Sequence, residues 1–222
     1  MEKQRVKILS ADYVTHNVRR FVVEKPAGLT FVSGQASDIS INAPNLEDQL
    51  RPFTFTSVNS SDHLEFIIKI YTGHNGVTEK LAELKPGDEL FIHDVFGTIN
   101  FKGPGLFIAA GAGITPFISI FRQLNLENKL TGNTLLFANR TSDDIILKDE
   151  LKEMLGQNYI DVIERSADAS QPPRFIDREL LKPHITPQNQ FYYICGPDQF
   201  ISMMMDNLHD LGVKKSQIVI EQ

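Results

Sequence analysis

Gly105-Leu-Phe-Ile-Ala-Ala-Gly-Ala-Gly-Ile-Thr-Pro-Phe-Ile-Ser-Ile-Phe-Arg-Gln-Leu124 is the stretch whose pattern decides the fold. Leu106 to Ala110 is short and wholly apolar, the pattern of a strand buried on both faces of a parallel sheet. Gly111-Ala-Gly113 follows as a tight turn whose missing Cβ atoms let a ligand approach the backbone. Thr115 reads as the cap of a helix with Pro116 at its first position, where an absent N–H costs nothing. Phe117, Ile118, Ile120, Phe121 and Leu124 recur at helical spacing, so one face of that helix packs on the sheet.

A strand, a glycine turn and a helix N-terminus in succession form an anion site of the dinucleotide-binding kind, contributed here by Gly111, Gly113, Ile114, Thr115 and Pro116. The match to Gly-x-Gly-x-x-Gly is partial, because Pro116 stands where the third glycine belongs. Such a turn also occurs as a plain joint between strand and helix. The rest of the chain has to choose the chemistry.

Downstream, strand and helix alternate. Thr134 to Ala138, Ile160 to Glu164, Phe191 to Cys195 and Gln217 to Ile220 read as strands, and Lys148 to Leu155 and Asp198 to Leu211 as helices. Arg178 to Lys182 suits a helical turn after Pro172-Pro173. That alternation predicts a parallel sheet covered on both faces. Asn139 and Arg140 follow a strand end, where an adenosine ribose lies in such sheets. Arg140 suits a 2′-phosphate or plain solvation equally, and Asp143 and Asp144 come too late to sit at the strand end, so NADH against NADPH stays open. Cys195 either fills core space or, followed by Gly196-Pro197, walls a ligand pocket. The methionines Met203 to Met205 read as core filler.

Upstream the texture is different. Arg5 to Leu9, Arg20 to Glu24, Ile39 to Asn42, Leu64 to Tyr71 and Glu89 to His93 read as short strands separated by turn signals such as Pro26-Ala-Gly28 and Pro86-Gly-Asp88. The expected architecture is therefore an antiparallel β-barrel over residues 1–102 followed by an α/β parallel-sheet domain over 103–222. A short stiff linker at Lys102-Gly-Pro-Gly105 joins the two. One short helix interrupts the barrel at Gly76 to Leu84, and its first N–H groups are either a second anion site or an ordinary helix start. Arg51-Pro-Phe-Thr-Phe-Thr-Ser57 carries a forked cation suited to phosphate, a flat ring at Phe53 and a hydroxyl at Thr54. An ordinary strand with an exposed arginine has the same sequence.

The 222 residues carry a net charge of −6 and no basic clustering, which argues against nucleic acid as a partner. Cys195 is the only cysteine, so neither a disulfide within the sequence nor a four-cysteine iron–sulfur cluster can form from it. His16, His63, His74, His93, His184 and His209 lack paired ligand spacing, and no metal site is expected. No signal core or membrane-length apolar run is present, and a cytoplasmic monomer is expected.

Arg51-Pro-Phe-Thr54 resembles the Arg-x-Tyr/Phe-Ser/Thr flavin motif of the ferredoxin–NADP reductase superfamily. Ile68-Lys-Ile-Tyr71 resembles the strand that follows it there, and Gly76-Val-Thr78 the family's pyrophosphate helix. Gly111 to Pro116 is similar to its pyridine-nucleotide turn and Cys195-Gly-Pro197 to its C-terminal motif, while Phe137 to Leu147 looks most like the cytochrome b5 reductase branch. The five motifs fall in the family's order and nearly span the chain.

The resemblance implies FAD, rather than FMN, as the bound flavin and NADPH or NADH as the hydride donor. It implies that Arg51 binds the flavin's phosphates, that Phe53 lies against its ring, that Thr54 bonds near its N5, and that Pro52 belongs to the same cofactor-binding motif. Backbone groups of Ile68, Lys69 and Ile70 would hold the pyrimidine end, and Gly76, Val77 and Thr78 the pyrophosphate. Cys195 would position the nicotinamide without a covalent step, and Thr54 and Cys195 are the two residues expected at the reacting atoms. Electrons would leave singly for a separate carrier, flavodoxin or ferredoxin. Relatives that end in an aromatic cover the flavin with it, whereas this sequence ends Val219-Ile-Glu-Gln222. Phe96 is a candidate substitute cover, and leakage to oxygen is the expected consequence of a barer ring. A free-flavin reductase and a non-catalytic nucleotide sensor are the rival readings.

Overall fold

A computed structural model describes residues 3–73, 76–97, 99–165, 172–186 and 190–221. His74 and Gln222, both weighed above, lie outside these residues, as do Met1 and Glu2.

Six antiparallel strands make the barrel: β1 (Gln4–Thr15), β2 (Val18–Glu24), β3 (Ala36–Ile41), β4 (Arg51–Thr54), β5 (His63–Lys69) and β6 (Glu89–Phe96). They run in the order β4-β3-β6-β1-β2-β5. The chain just past β4 closes the circle, since Phe55 bridges Phe66 and the Thr56 N–H donates to the Glu65 carbonyl at 2.8 Å. Phe21, Phe55, Phe66, Leu64 and Leu90 fill the interior. The stacked pair Phe31–Phe55, 4.2 Å between ring centroids, plugs it beside β4.

β1 continues well past Leu9, because the polar stretch Ser10 to Thr15 pairs with β2 through two register shifts and does not break into a loop. β3 starts three residues earlier than its apolar pattern shows, since the small residues Ala36 and Ser37 are buried in it. Helix α1 is a single turn, Val77–Leu81. Its C-terminal carbonyls are gripped by the buried Arg19, which donates to Leu81, Ala82 and Leu84 and to the Ala11 carbonyl.

The second half is a parallel sheet of β7 (Gly105–Ala110), β8 (Thr134–Asn139), β9 (Tyr159–Ile163), β10 (Phe191–Cys195) and β11 (Ile218–Ile220), ordered β11-β10-β7-β8-β9. Alternation along β7 sends Phe107 and Ala109 to one face, under α2 (Thr115–Leu126) and α3 (Lys148–Leu155). Leu106 and Ile108 point to the other, under α4 (Arg178–Leu181) and α5 (Asp198–Asp210). The Tyr193 hydroxyl pins the linker, accepting from the Lys102 and Gly103 N–H groups and donating to the Gly103 carbonyl.

One detail of the opening stretch is corrected. Gly111–Ile114 winds as a 3₁₀ turn directly into α2, so the helix begins at Thr115 with Pro116 second. The Thr115 hydroxyl donates back to the Ala112 carbonyl and does not cap the helix N–H groups.

Barrel and sheet meet along α2. Val18 and Ile67 of the barrel belong to the same apolar cluster as Ile114, Phe117 and Phe121. Arg122 of α2 donates to the Thr56 carbonyl and to Glu65 of the barrel at 2.9 and 2.6 Å, and to both carboxylate oxygens of Glu150 on α3. Burial opposes that charge, but the bonds and charges of Glu150 and Glu65 outweigh it and raise the arginine's pKa.

Candidate active site

The strand order of the sheet reverses between β7 and β10, and open parallel sheets bind ligands beyond the carboxyl ends of strands at that point. A cleft of about 1360 Å³ lies there. Its floor is Ala110 to Gly113 on one side of the switch and Cys195 to Pro197 on the other. The barrel supplies the facing wall from the β1–β2 turn, Tyr13 and His16 to Val18, and from the end of β5, Lys69 to Thr72.

The floor depends on one close approach. A Cβ on Gly113 would sit 2.4 Å from the Cys195 carbonyl oxygen and 2.6 Å from the Gly196 nitrogen, so only glycine lets the two loops touch. Gly111 has φ of +53° with open space where a Cβ would point. Cys195 is almost fully buried, and burial, with the charge of Glu221 adding, pushes its thiol up to about 12. It stays a neutral thiol at physiological pH, which suits packing and positioning better than nucleophilic work.

At the end of β8, Asn139 is 6% exposed and neither side-chain amide atom has a partner among the described residues. Burying such atoms unpaired costs about 1–3 kcal/mol, a debt that a polar ligand in the cleft relieves. Beside it, Thr141 and Asp144 close a short turn: the Asp144 carboxylate accepts from the Thr141 N–H and hydroxyl at 3.0 and 2.8 Å. That turn folds Asp144 back into the cleft, against the expectation that it lies too far along the chain. His16 reaches across from the barrel to within 3.8 Å of the same carboxylate.

The cleft thus brings together Lys69, Ile70, Gly111, Gly113, Asn139, Arg140, Cys195, Gly196 and Pro197 from the candidate set. Ile114 and Pro116 are buried, Ile114 within the core, and neither lines the cleft. Ile68 is likewise inside the barrel. The Ile70 N–H donates to the Asn17 carbonyl at 2.8 Å. Arg51, Pro52, Phe53 and Thr54 all lie on β4, outside the cleft lining, with Arg51 exposed and Phe53 half-buried against the barrel core. Gly76, Val77 and Thr78 also lie outside it, but the Thr78 hydroxyl accepts the Tyr71 N–H at 3.4 Å and so ties α1 to the cleft rim.

Sequence reasoning missed the β1–β2 turn, Arg174, Phe175 and Met203, all of which line the cleft. Phe175 is 55% exposed next to an arginine, an aromatic–cation pair in a polar loop that could have been noticed. The methionine triplet divides: Met204 is core, while Met203 faces the cleft. Phe96, the candidate flavin cover, is partly exposed on the strand next to β3, with Ala36 between it and Thr54. Among the described residues no group of His, Cys, Asp or Glu could hold a metal ion, and no helix is long and apolar enough to cross a membrane.

Residues 5–101 match the family model of an oxidoreductase FAD-binding domain, and residues 107–206 that of an oxidoreductase NAD-binding domain. The sequence is 30% identical to NADH–cytochrome b5 reductase 1 of Arabidopsis thaliana, over 93% of this chain and 79% of that protein. The chain belongs to the ferredoxin–NADP reductase superfamily. It is an FAD-dependent NAD(P)H oxidoreductase, and the two-domain fold is the family's. A reductase component of propane 2-monooxygenase from Rhodococcus jostii is 28% identical over 98% of this chain, which spans 61% of that relative. The same fold occurs in a ferredoxin NADP+ reductase from Neisseria gonorrhoeae solved with FAD and NADP, at a TM-score of 0.85, 20% identity, and coverage of 99% and 98% of the two chains.

Proposed function

We propose that this reductase takes electrons from NADH and hands them singly to a separate carrier, flavodoxin or ferredoxin, in the cytoplasm. When bound, FAD supplies the hydride-accepting and electron-splitting chemistry. The reading assigns residues 1–102 to the flavin and 103–222 to the dinucleotide. Among the described residues the exposed Arg51 side chain bonds only the Leu50 carbonyl, which leaves its fork available to a phosphate. Thr54 would donate its hydroxyl at the flavin ring, with Phe53 beside it, and the N–H groups of Gly76 to Thr78 would meet the pyrophosphate. Gly111 and Gly113 let a dinucleotide approach the sheet, and the Cys195 thiol would seat the nicotinamide. Orientation of two rings in this way is worth about 7–11 kcal/mol relative to a free encounter.

The observation that carries the reading is the cleft itself: the switch point of the sheet faces the barrel edge formed by Lys69 to Thr72. The preference for NADH rests on Asp144, since a carboxylate in the cleft accepts from ribose hydroxyls and repels a 2′-phosphate. A single-electron carrier is favoured because one cysteine cannot hold an iron–sulfur cluster, so any cluster lies outside this sequence. Relatives carry names for cytochrome b5 and for an oxygenase, so both carrier types belong in the test.

The test is anaerobic turnover with NADH and each of flavodoxin, ferredoxin, cytochrome b5 and free FMN. Saturable reduction of flavodoxin or ferredoxin by FAD-containing protein supports the proposal. A colourless protein that reduces only added flavin would establish the free-flavin reductase reading, and preference for cytochrome b5 would reassign the carrier.

A further inference from the structure

We propose that Arg122 is a positioning residue for the reaction, one that fixes the angle at which barrel and sheet meet and hence the spacing of the two cofactor rings. The inference rests on the functional reading above but on different atoms. Arg122 touches neither the cleft nor any residue assigned to a cofactor.

The argument begins with where its partners sit in the chain. Thr56, whose carbonyl accepts from Arg122, is two residues past Thr54 on the flavin-motif segment. Helix α2, which carries Arg122, grows directly out of the Gly111–Ile114 turn that floors the nucleotide cleft. One side chain therefore links the segment that follows the flavin motif to the helix that follows the nucleotide turn.

The geometry is that of a fixed joint. Glu150 takes the Nε and one Nη of the guanidinium at 2.5 and 2.9 Å, which orients the fork from within the sheet domain. The other Nη spans the seam to the Thr56 carbonyl and to Glu65. Glu65 is itself 6% exposed and held by the Thr56 hydroxyl at 2.7 Å, so the receiving end cannot swing. One helical turn earlier, Ser119 adds a second directional tie by accepting the Gly34 N–H at 3.0 Å. Val18 and Ile67 against α2 are apolar and non-directional, and His16 approaches Asp144 only to 3.8 Å at the cleft. They hold the halves together without setting their register. Lysine cannot replace the arginine here, because a point charge cannot present parallel donors to two carboxylates and a carbonyl.

The experiment compares the wild type with Arg122→Lys, and uses Glu65→Gln as the second variant should the lysine protein fail to fold. Anaerobic single-turnover reduction by NADH is followed at the flavin absorbance, together with FAD and NADH dissociation constants. Hydrogen exchange of the FAD-free protein is read at the Gly34 amide. The expected result is at least a tenfold slower reduction with both dissociation constants within threefold, a larger primary deuterium isotope effect from labelled NADH, and at least tenfold faster Gly34 exchange with β1 and β2 amides unchanged. A reduction rate within twofold of wild type, or exchange accelerated equally throughout the barrel, would overturn the inference. Failure of the wild type to be reduced by either nicotinamide nucleotide would count against the functional reading instead, while the exchange arm would still test the joint.

Discussion

Replacing Gly113 with alanine places a methyl carbon 2.4 Å from the Cys195 carbonyl oxygen, 2.5 Å from its carbon and 2.6 Å from the Gly196 nitrogen. Ordinary contacts begin near 3.4 Å, so the turn after β7 must retreat from the end of β10 by roughly 1 Å. The obstacles are backbone atoms and cannot rotate aside. Gly113 does not have a positive φ, so alanine pays no conformational penalty and the collision acts alone. Overpacking of this kind costs about 1–3 kcal/mol, or a fall in melting temperature of about 2–12 °C for a chain of this size. The displaced atoms form the cleft floor, and a shift of about 1 Å at a site can cost 100-fold in rate. Gly111 is the control. Its Cβ direction is empty, but its φ of +53° penalises alanine by about 1–2 kcal/mol. Asparagine tolerates that conformation, so Gly111→Asn should recover stability relative to Gly111→Ala, whereas Gly113→Asn should be worse than Gly113→Ala. Thermal melts and NADH titrations of the four variants decide it. A Gly113→Ala protein that melts within 1 °C of wild type and binds NADH unchanged would show that the two loops do not touch as described.

Other outcomes follow from single groups. Arg51→Ala should weaken FAD binding by about 10–100-fold, the worth of a charge-assisted hydrogen bond, while the barrel's circular dichroism is unchanged; fluorescence titration with FAD measures it. Asp144→Asn should raise the ratio of kcat/KM for NADPH over NADH by about tenfold through lost repulsion, and an unchanged ratio in steady-state assays would remove Asp144 from nucleotide selection. The Cys195 thiol is pushed up to about 12 by burial and by Glu221, so the folded protein binds this proton more tightly than the unfolded chain. Its contribution is therefore complete below about pH 8.5 and lost at up to about 1.4 kcal/mol per pH unit as pH climbs towards the folded value. Urea melts of wild type and Cys195→Ala between pH 8 and 11 should converge as pH rises, and a constant difference would contradict the shift.

Local patterns carried most of the fold. The apolar run Leu106 to Ala110 and the helical spacing from Phe117 to Leu124 are each satisfied by contacts within a few residues or by burial against one sheet face, and both were legible. The polar half of β1 was not, because Ser10 to Thr15 is held as strand only by pairing with β2. None of these six residues is buried, so no core-facing alternation marks them as strand. The same limit applied to the site. Gly113, Cys195 and Gly196 could be nominated from motif chemistry, but their contact arises from strand order, which no local spacing encodes. Tyr13 and His16 enter the cleft only because the barrel docks where it does, and Arg174 because its N–H returns to the Ile163 carbonyl at the end of β9. Arg122 finds its carboxylate partners 57 and 28 residues away in sequence. Its role at the seam becomes visible once Glu65 and Glu150, distant in sequence, arrive on either side of it.

The central claim is that a dinucleotide seated at the β7–β10 switch point and a flavin held by the barrel come into contact in one cleft. The most direct measurement is the visible spectrum of the purified FAD-containing protein, recorded without oxygen before and after one equivalent of NADH, with NADPH in parallel. The account predicts rapid bleaching of the flavin bands with NADH, slower with NADPH, and about 100-fold slower bleaching with NADH in a Gly113→Ala protein that still retains FAD. Unchanged bands with both nucleotides, in a protein that binds them, would contradict it.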